Sequence, residues 1–193
     1  IDLCRNYIPG KYTVDPLLDV QVLAPMHRGV AGISNFNRKL QNALNPNGKV
    51  LQFGQRTFSI GDKVLQNRNN YEKNIFNGDL GRITHINPEA GSIAVNFHNE
   101  VIDYTRAELN NLQLAYAISV HKAQGSEFPI VIIPLLKQHF MLLQRNLLYT
   151  AITRGKRKVF IVGDPAAYSI AVRNKKSISR RTDLQRKILE LNA

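Results

Sequence analysis

The chain has 193 residues, 44% of them apolar, a formal net charge of +12 and a single cysteine. That is enough apolar content for a sizeable core, and one thiol, Cys4, excludes an internal disulfide framework and a cysteine-based zinc site, which suits a reducing, cytoplasmic setting. The longest apolar run, about nine residues from Phe128 to Leu136, falls well short of the roughly 20 that a membrane helix needs.

The opening, IDLCRNYIPG, has neither a methionine nor a signal-peptide pattern and reads as the inside of a longer chain. DVQVLAP, residues 19–25, predicts a buried strand that stops at Pro25. GISNFNRKLQNAL, residues 32–44, then places Ile33, Phe36, Leu40 and Leu44 on one helical face before Pro46, Asn47 and Gly48 end it. From about Gln52 to Asn111 the texture changes to short alternating segments, DKVLQN, LGRITHI, SIAVNF and EVIDY, separated by the turns NGD and EAG. Four or five short strands in about 60 residues predict a small β-barrel. Its charge sets it apart, with 6 basic and 7 acidic residues between Gln55 and Asn110, against 12 and 3 from Arg145 onward. We read it as an insert over residues 52–111, dividing an α/β domain made of residues 1–51 and 112–193. FPIVIIPL, residues 128–135, and KVFIVGD, residues 158–164, predict two more buried strands. Residues 140–154 predict a helix, PAAYSIAVR a short one, and RTDLQRKILEL a terminal amphipathic one capped by Thr182 or Asp183.

A basic tract of this density fits a surface that tracks phosphates. A plain solvated basic face is the alternative. The Gly-Lys pairs, Gly10-Lys11, Gly48-Lys49 and Gly155-Lys156, are not followed by Ser or Thr, so none forms a phosphate-binding P-loop. GSEF around Ser126 is not the G-x-S-x-G of a serine hydrolase, and 14 acidic residues, half of them in the insert, give no cluster for two-metal nuclease chemistry. What remains is polar groups at strand ends, where α/β sheets place ligands.

Residues 117–133, with SVHKAQGSEF, resemble motif V of superfamily-1 helicases, and LLYTAITRGKRKVFIVG, residues 147–163, resembles motif VI. QVLAPMHRGVAGISNFNRKLQ, residues 21–41, and GDKVLQNRNNYEKNIFNGDLG, residues 61–81, resemble the opening of the second RecA-like domain and the inserted Src-homology-3-like barrel of the RecD-like branch. The resemblance implies the C-terminal part of an ATP-dependent 5′→3′ DNA helicase of repair and recombination, related to the exodeoxyribonuclease V alpha chain. The implied fold is a RecA-like second motor domain with a parallel sheet, interrupted by that barrel. The first motor domain, with its P-loop and Mg²⁺-holding acid, would be a separate part of the parent, so ATP and Mg²⁺ would not be held by this chain alone.

The resemblance also implies roles. Arg154 matches the arginine finger that reaches the γ-phosphate, a role worth about 10³–10⁵ in rate. Glu127, Gln124 and Gly125 match nucleotide-side positions, and Arg28 sits where relatives carry a second phosphate-sensing arginine. Ser119, His121 and Lys122 match contacts to single-stranded DNA, with Asn69, Asn70 and Tyr71 of the barrel lining its path. A core role for His121, a solvated surface role for Lys122 and a core or turn role for Asn69, Asn70 and Tyr71 are the alternatives. The implied partners are single-stranded DNA, the first RecA-like domain and other repair-complex subunits. A non-catalytic nucleic-acid-binding or protein-interaction module is the rival reading of the whole chain.

Overall fold

A computed structural model describes residues 1–174; the terminal amphipathic helix expected from Arg181 lies outside them. After a π-helical turn at Leu3–Tyr7 and the short α1 (Ile8–Tyr12), the chain enters β1 (Val20–Ala24), whose five residues are all buried. β1 lies in a parallel four-stranded sheet with β9 (Ala117–Ser119), β10 (Phe128–Leu135) and β11 (Gly155–Gly163), in the order β11-β10-β1-β9. Burial on both faces explains why β10 reads as an unbroken apolar run, and why β1 is apolar except for Gln21, which is itself buried. α2 (Ile33–Leu44) buries Ile33 and Leu40 as expected, and with them Asn37 and Gln41.

Two expectations change. The strand at 158–164 was expected to be buried, but β11 is the sheet's edge, and Ile161, Val162 and Gly163 are exposed. The helix expected over 140–154 divides into a 3-10 turn at Lys137–Leu142 and α3 (Arg145–Ile152). Between them Leu143 is fully buried, and its carbonyl accepts from Asn174 Nδ2 at 2.8 Å, which diverts it from a helical bond. α4 (Pro165–Arg173) follows, capped by Asp164, whose Oδ1 accepts from the Ala166 amide at 2.8 Å.

The central segment folds as the hairpin β2 (Val50–Phe53) and β3 (Arg56–Ser59) and a five-stranded antiparallel sheet. That sheet runs β7 (Glu100–Tyr104), β6 (Ser92–Phe97), β5 (Leu80–Asn87), β4 (Lys63–Gln66) and β8 (Leu112–Leu114). Leu51, Phe58, Ile83, Ile93 and Val95 share its core. No helix among the described residues is long and apolar enough to cross a membrane.

Lys63 joins the two sheets. Its Nζ donates to the Val20 carbonyl at 3.4 Å and lies 5.6 Å from the centre of the Phe128 ring. Burial pulls its pKa from 10.5 down to about 8, partly offset by Asp19 and Asp15. The folded chain therefore releases a proton that the unfolded chain keeps between those values, so stability rises with pH from about 8 to 10.5. Lys63→Met is expected to stabilise the chain at pH 7 by about 1–3 kcal/mol and to remove that rise. Urea denaturation at pH 7 and pH 10 checks this; a variant less stable at pH 7 contradicts it.

Candidate functional site

The register shows which groups share an end of the parallel sheet. Ala24 pairs with Ser119 and Leu135 with Gly163 at the carboxyl ends, and Phe128 pairs with Gly155 at the amino ends of β10 and β11. The polar groups are thus divided between two ends.

Arg154 and Glu127 lie at the amino ends. α3 closes with the Arg154 amide donating to Ala151 O at 3.2 Å, and the Arg154 carbonyl then accepts from the Phe128 amide at 2.8 Å. Gly155 permits this tight entry, since a Cβ there would stand 2.5 Å from Val159 Cγ2. The half-buried guanidinium donates to Thr150 O at 3.3 Å, Ser126 O at 3.2 Å and Thr153 Oγ1 at 3.2 Å. All three acceptors are neutral, and among the described residues no carboxylate pairs with Arg154. Glu127 instead pairs with Lys156 at 3.3 Å, both side chains being more than half exposed. Such a pair is worth at most about 1 kcal/mol and exchanges readily for another partner. The result is a guanidinium oriented by carbonyls, with its charge unmatched, beside the exposed Lys156, Arg157 and Lys158.

From Ser119 the chain crosses back over the sheet to Glu127. Ser119 starts the turn by accepting twice, from the Ala123 amide at its carbonyl and from the Lys122 amide at Oγ, both at 3.2 Å. Val120 and Ala123 are buried pegs, and Gly125, at φ +85°, turns the chain where an L side chain is strained. His121 and Gln124 face solvent, so His121 is not a core residue. They line a groove of about 270 Å³ with Gln144, Asn146, Leu147 and Thr150, the last three from α3. One loop therefore touches the Arg154 end, the helix that precedes Arg154 and the Ser119 end.

Arg28 is exposed in the loop after β1, on the carboxyl side of the strands. Its backbone is packed under α2, because a Cβ on Gly32 would meet the Arg28 carbonyl oxygen at 2.4 Å.

Residues of the central segment converge on the same loop. Lys122, half-buried, donates its Nζ to Asn77 Oδ1 in an exposed hydrogen bond. The Asn77 amide donates to Asn69 Oδ1 at 2.9 Å, and Asn69 Nδ2 donates to the Tyr71 hydroxyl at 3.2 Å. Tyr71 is 78% exposed and packs edge-on against Phe76, itself 42% exposed, with ring centres 6.1 Å apart. Asn70 is spent on a bridge to Ile75. In the sequence Asn77 reads only as a turn residue and Phe76 draws no assignment. The available signal was an aromatic residue directly before Asn-Gly in a polar loop. This end of the molecule offers two aromatic faces, a hydroxyl, an imidazole and an ammonium, which suits a flexible polyanion with planar bases. Among the described residues, no three His, Cys, Asp or Glu side chains are grouped to hold a metal ion.

Residues 36–97 match the SH3 domain of ATP-dependent RecD-like DNA helicases, and residues 114–162 match the UvrD-like helicase C-terminal domain. The chain is 40% identical over 167 residues to an ATP-dependent RecD2 DNA helicase of Deinococcus radiodurans, covering 86% of this chain and 23% of that protein. It is 33% identical over 181 residues to the RecBCD enzyme subunit RecD of Buchnera aphidicola, covering 84% and 29%. It thus spans about a quarter of the length of these curated relatives. In fold it is similar to the Pif1 helicase from Bacteroides solved with ADP-AlF3 and single-stranded DNA, with a TM-score of 0.57 and 18% identity over 98% of this chain and 48% of that one. The Pif1 helicase from Candida albicans gives a TM-score of 0.52 and 14% identity over 89% and 49%.

Proposed function

The chain belongs to the RecD-like helicases of superfamily 1, and from that premise we propose that it is the finger-bearing half of an ATP-dependent 5′→3′ DNA helicase motor. Residues 1–51 and 112–193 form its second RecA-like domain, and residues 52–111 form the inserted barrel. The observation that carries this reading is the Arg154 guanidinium, aimed by three neutral oxygens and unmatched by any carboxylate among the described residues. A fixed, unneutralised cation is the group that stabilises charge spreading over a transferring phosphoryl oxygen.

Nucleotide with Mg²⁺, when bound, supplies the phosphoryl transfer that drives the cycle. By the resemblance, the first RecA-like domain would hold the metal. Arg154 donates to oxygens where negative charge builds, and the Glu127–Lys156 pair opens to meet the nucleotide. Gln124 and Gly125 let the backbone come close, and Arg28, from its own loop, is assigned to phosphate. On the strand side, Ser119, His121 and Lys122 bond backbone phosphates without reading sequence, and Tyr71 with Asn69 carries stacked bases. Loop 120–127 joins the two sets, so a shift of Glu127 on nucleotide turnover reaches Ser119. The RecD and RecBCD names of the relatives support repair-complex subunits as partners in the parent.

The isolated chain is expected to bind single-stranded DNA with a steep salt dependence and to hydrolyse no ATP. Turnover by the isolated chain that disappears in an Arg154→Ala control overturns the assignment. Strand displacement by the full-length protein from a 5′ overhang, and not from a 3′ overhang, checks the polarity.

A further inference from the structure

Asp62 is fully buried in the turn between β3 and β4. Its Oδ2 accepts from Gln41 Nε2 at 2.6 Å and the Ser59 amide at 2.7 Å. Its Oδ1 accepts from Asn45 Nδ2 at 2.8 Å and the Tyr116 hydroxyl at 2.7 Å. The same two amide groups also donate to barrel carbonyls, Gln41 to Thr57 and Asn45 to Ile60, both at 2.9 Å. One carboxylate thus ties together the C-terminal end of α2, the turn that joins β3 to β4 and the residue that precedes β9. Among the described residues no Lys or Arg pairs with it.

Tyr116 stands three residues before Ser119 and is itself held in place. Gln21 Nε2 donates to the Ala115 and Tyr116 carbonyls at 3.0 and 3.2 Å, and the Ala117 amide donates to Asn37 Oδ1 at 2.8 Å. The Asp62 network therefore fixes the strand that launches the crossing loop. Its other links between barrel and loop, from Lys122 through Asn77 to Asn69 and Tyr71, run through exposed or half-buried side chains. Exposed hydrogen bonds exchange with water and do not hold a geometry alone. A buried carboxylate with four donors does, because each alternative arrangement leaves a buried polar group unmatched.

We propose that Asp62 is a positioning residue that locks the barrel to α2 and β9, so that the Tyr71 loop and the 119–127 loop move as one body and ATP turnover is converted into strand separation. The proposal rests on the helicase reading. The test uses the full-length protein carrying Asp62→Asn, which keeps the shape but turns an amide nitrogen toward two donors. ATP turnover at saturating single-stranded DNA is expected to stay within about twofold, while the DNA concentration for half-maximal turnover rises about tenfold, as lost buried hydrogen bonds of this kind imply. Base pairs unwound per ATP fall by a similar factor. A purely structural role instead lowers turnover and unwinding in proportion, and that result overturns the proposal. Tyr116→Phe, which removes a single hydroxyl, is expected to move the same ratio by a smaller amount and decides the matter if Asp62→Asn does not fold. An independent arm needs no motor activity. Spin labels at Lys39 and Glu100 should report one narrow distance in the unsubstituted protein and a broad one in Asp62→Asn. Equal widths overturn the clamp even if the helicase reading stands, whereas a wild-type protein that unwinds nothing overturns the helicase reading and leaves the label distances to decide the clamp.

Discussion

Arg154→Ala in the full-length protein is expected to lower single-strand-dependent ATP turnover by about 10³-fold or more, the effect of removing an arginine finger. Single-strand affinity should stay within about twofold. The two readouts separate because of where Arg154 sits. Its guanidinium bonds Thr150, Ser126 and Thr153 at the amino ends of β10 and β11, while Ser119 stands at the carboxyl end of β9. Alanine also leaves the Phe128 amide its bond to the residue-154 carbonyl, a backbone contact at 2.8 Å, so the strand entry survives. Arg154→Lys should not rescue turnover, because an ammonium cannot reproduce a fork that donates in three directions at once. Parallel loss of turnover and DNA binding would instead assign Arg154 a role in folding or in DNA contact.

Replacing both Tyr71 and Phe76 with alanine should weaken single-strand binding by about 10- to 10²-fold, the range expected from loss of base–aromatic stacking of roughly 1–3 kcal/mol per base. Both rings are substantially exposed, at 78% and 42%, so the substitution removes little core. The slope of log affinity against log salt should not change, since no cation is lost. Lys122→Ala should do the reverse, flattening that slope by about 0.7 for one released phosphate contact with little change in stacking. Fluorescence anisotropy with an oligonucleotide across a salt series reads both. A slope change from the aromatic pair, or none from Lys122, contradicts the division of labour.

The sequence shows the local pattern of this molecule well and its long-range ties poorly. β1, α2 and β10 are legible because apolar period and Pro or Gly stops act within a dozen residues. The helicase C-terminal segment over residues 114–162 is legible because its motifs are contiguous. The edge position of β11 is not, since KVFIVG is as apolar as a central strand and only the sheet order leaves one side open. Asp62 reads as an ordinary Gly-Asp turn, and its role depends on Tyr116, 54 residues away. Asn77 likewise meets Lys122 across 45 residues. The division of the candidate site between two strand ends follows from register, which no local pattern carries.

We propose that Arg154 acts on the transferring phosphoryl group across a cleft. Retention of ADP with aluminium fluoride by the DNA-bound full-length protein tests it most directly, because that complex mimics the phosphoryl group in flight. The unsubstituted protein should trap the complex, while Arg154→Ala should bind ADP with unchanged affinity and release the fluoride complex freely. Equal retention by both proteins would contradict the assignment.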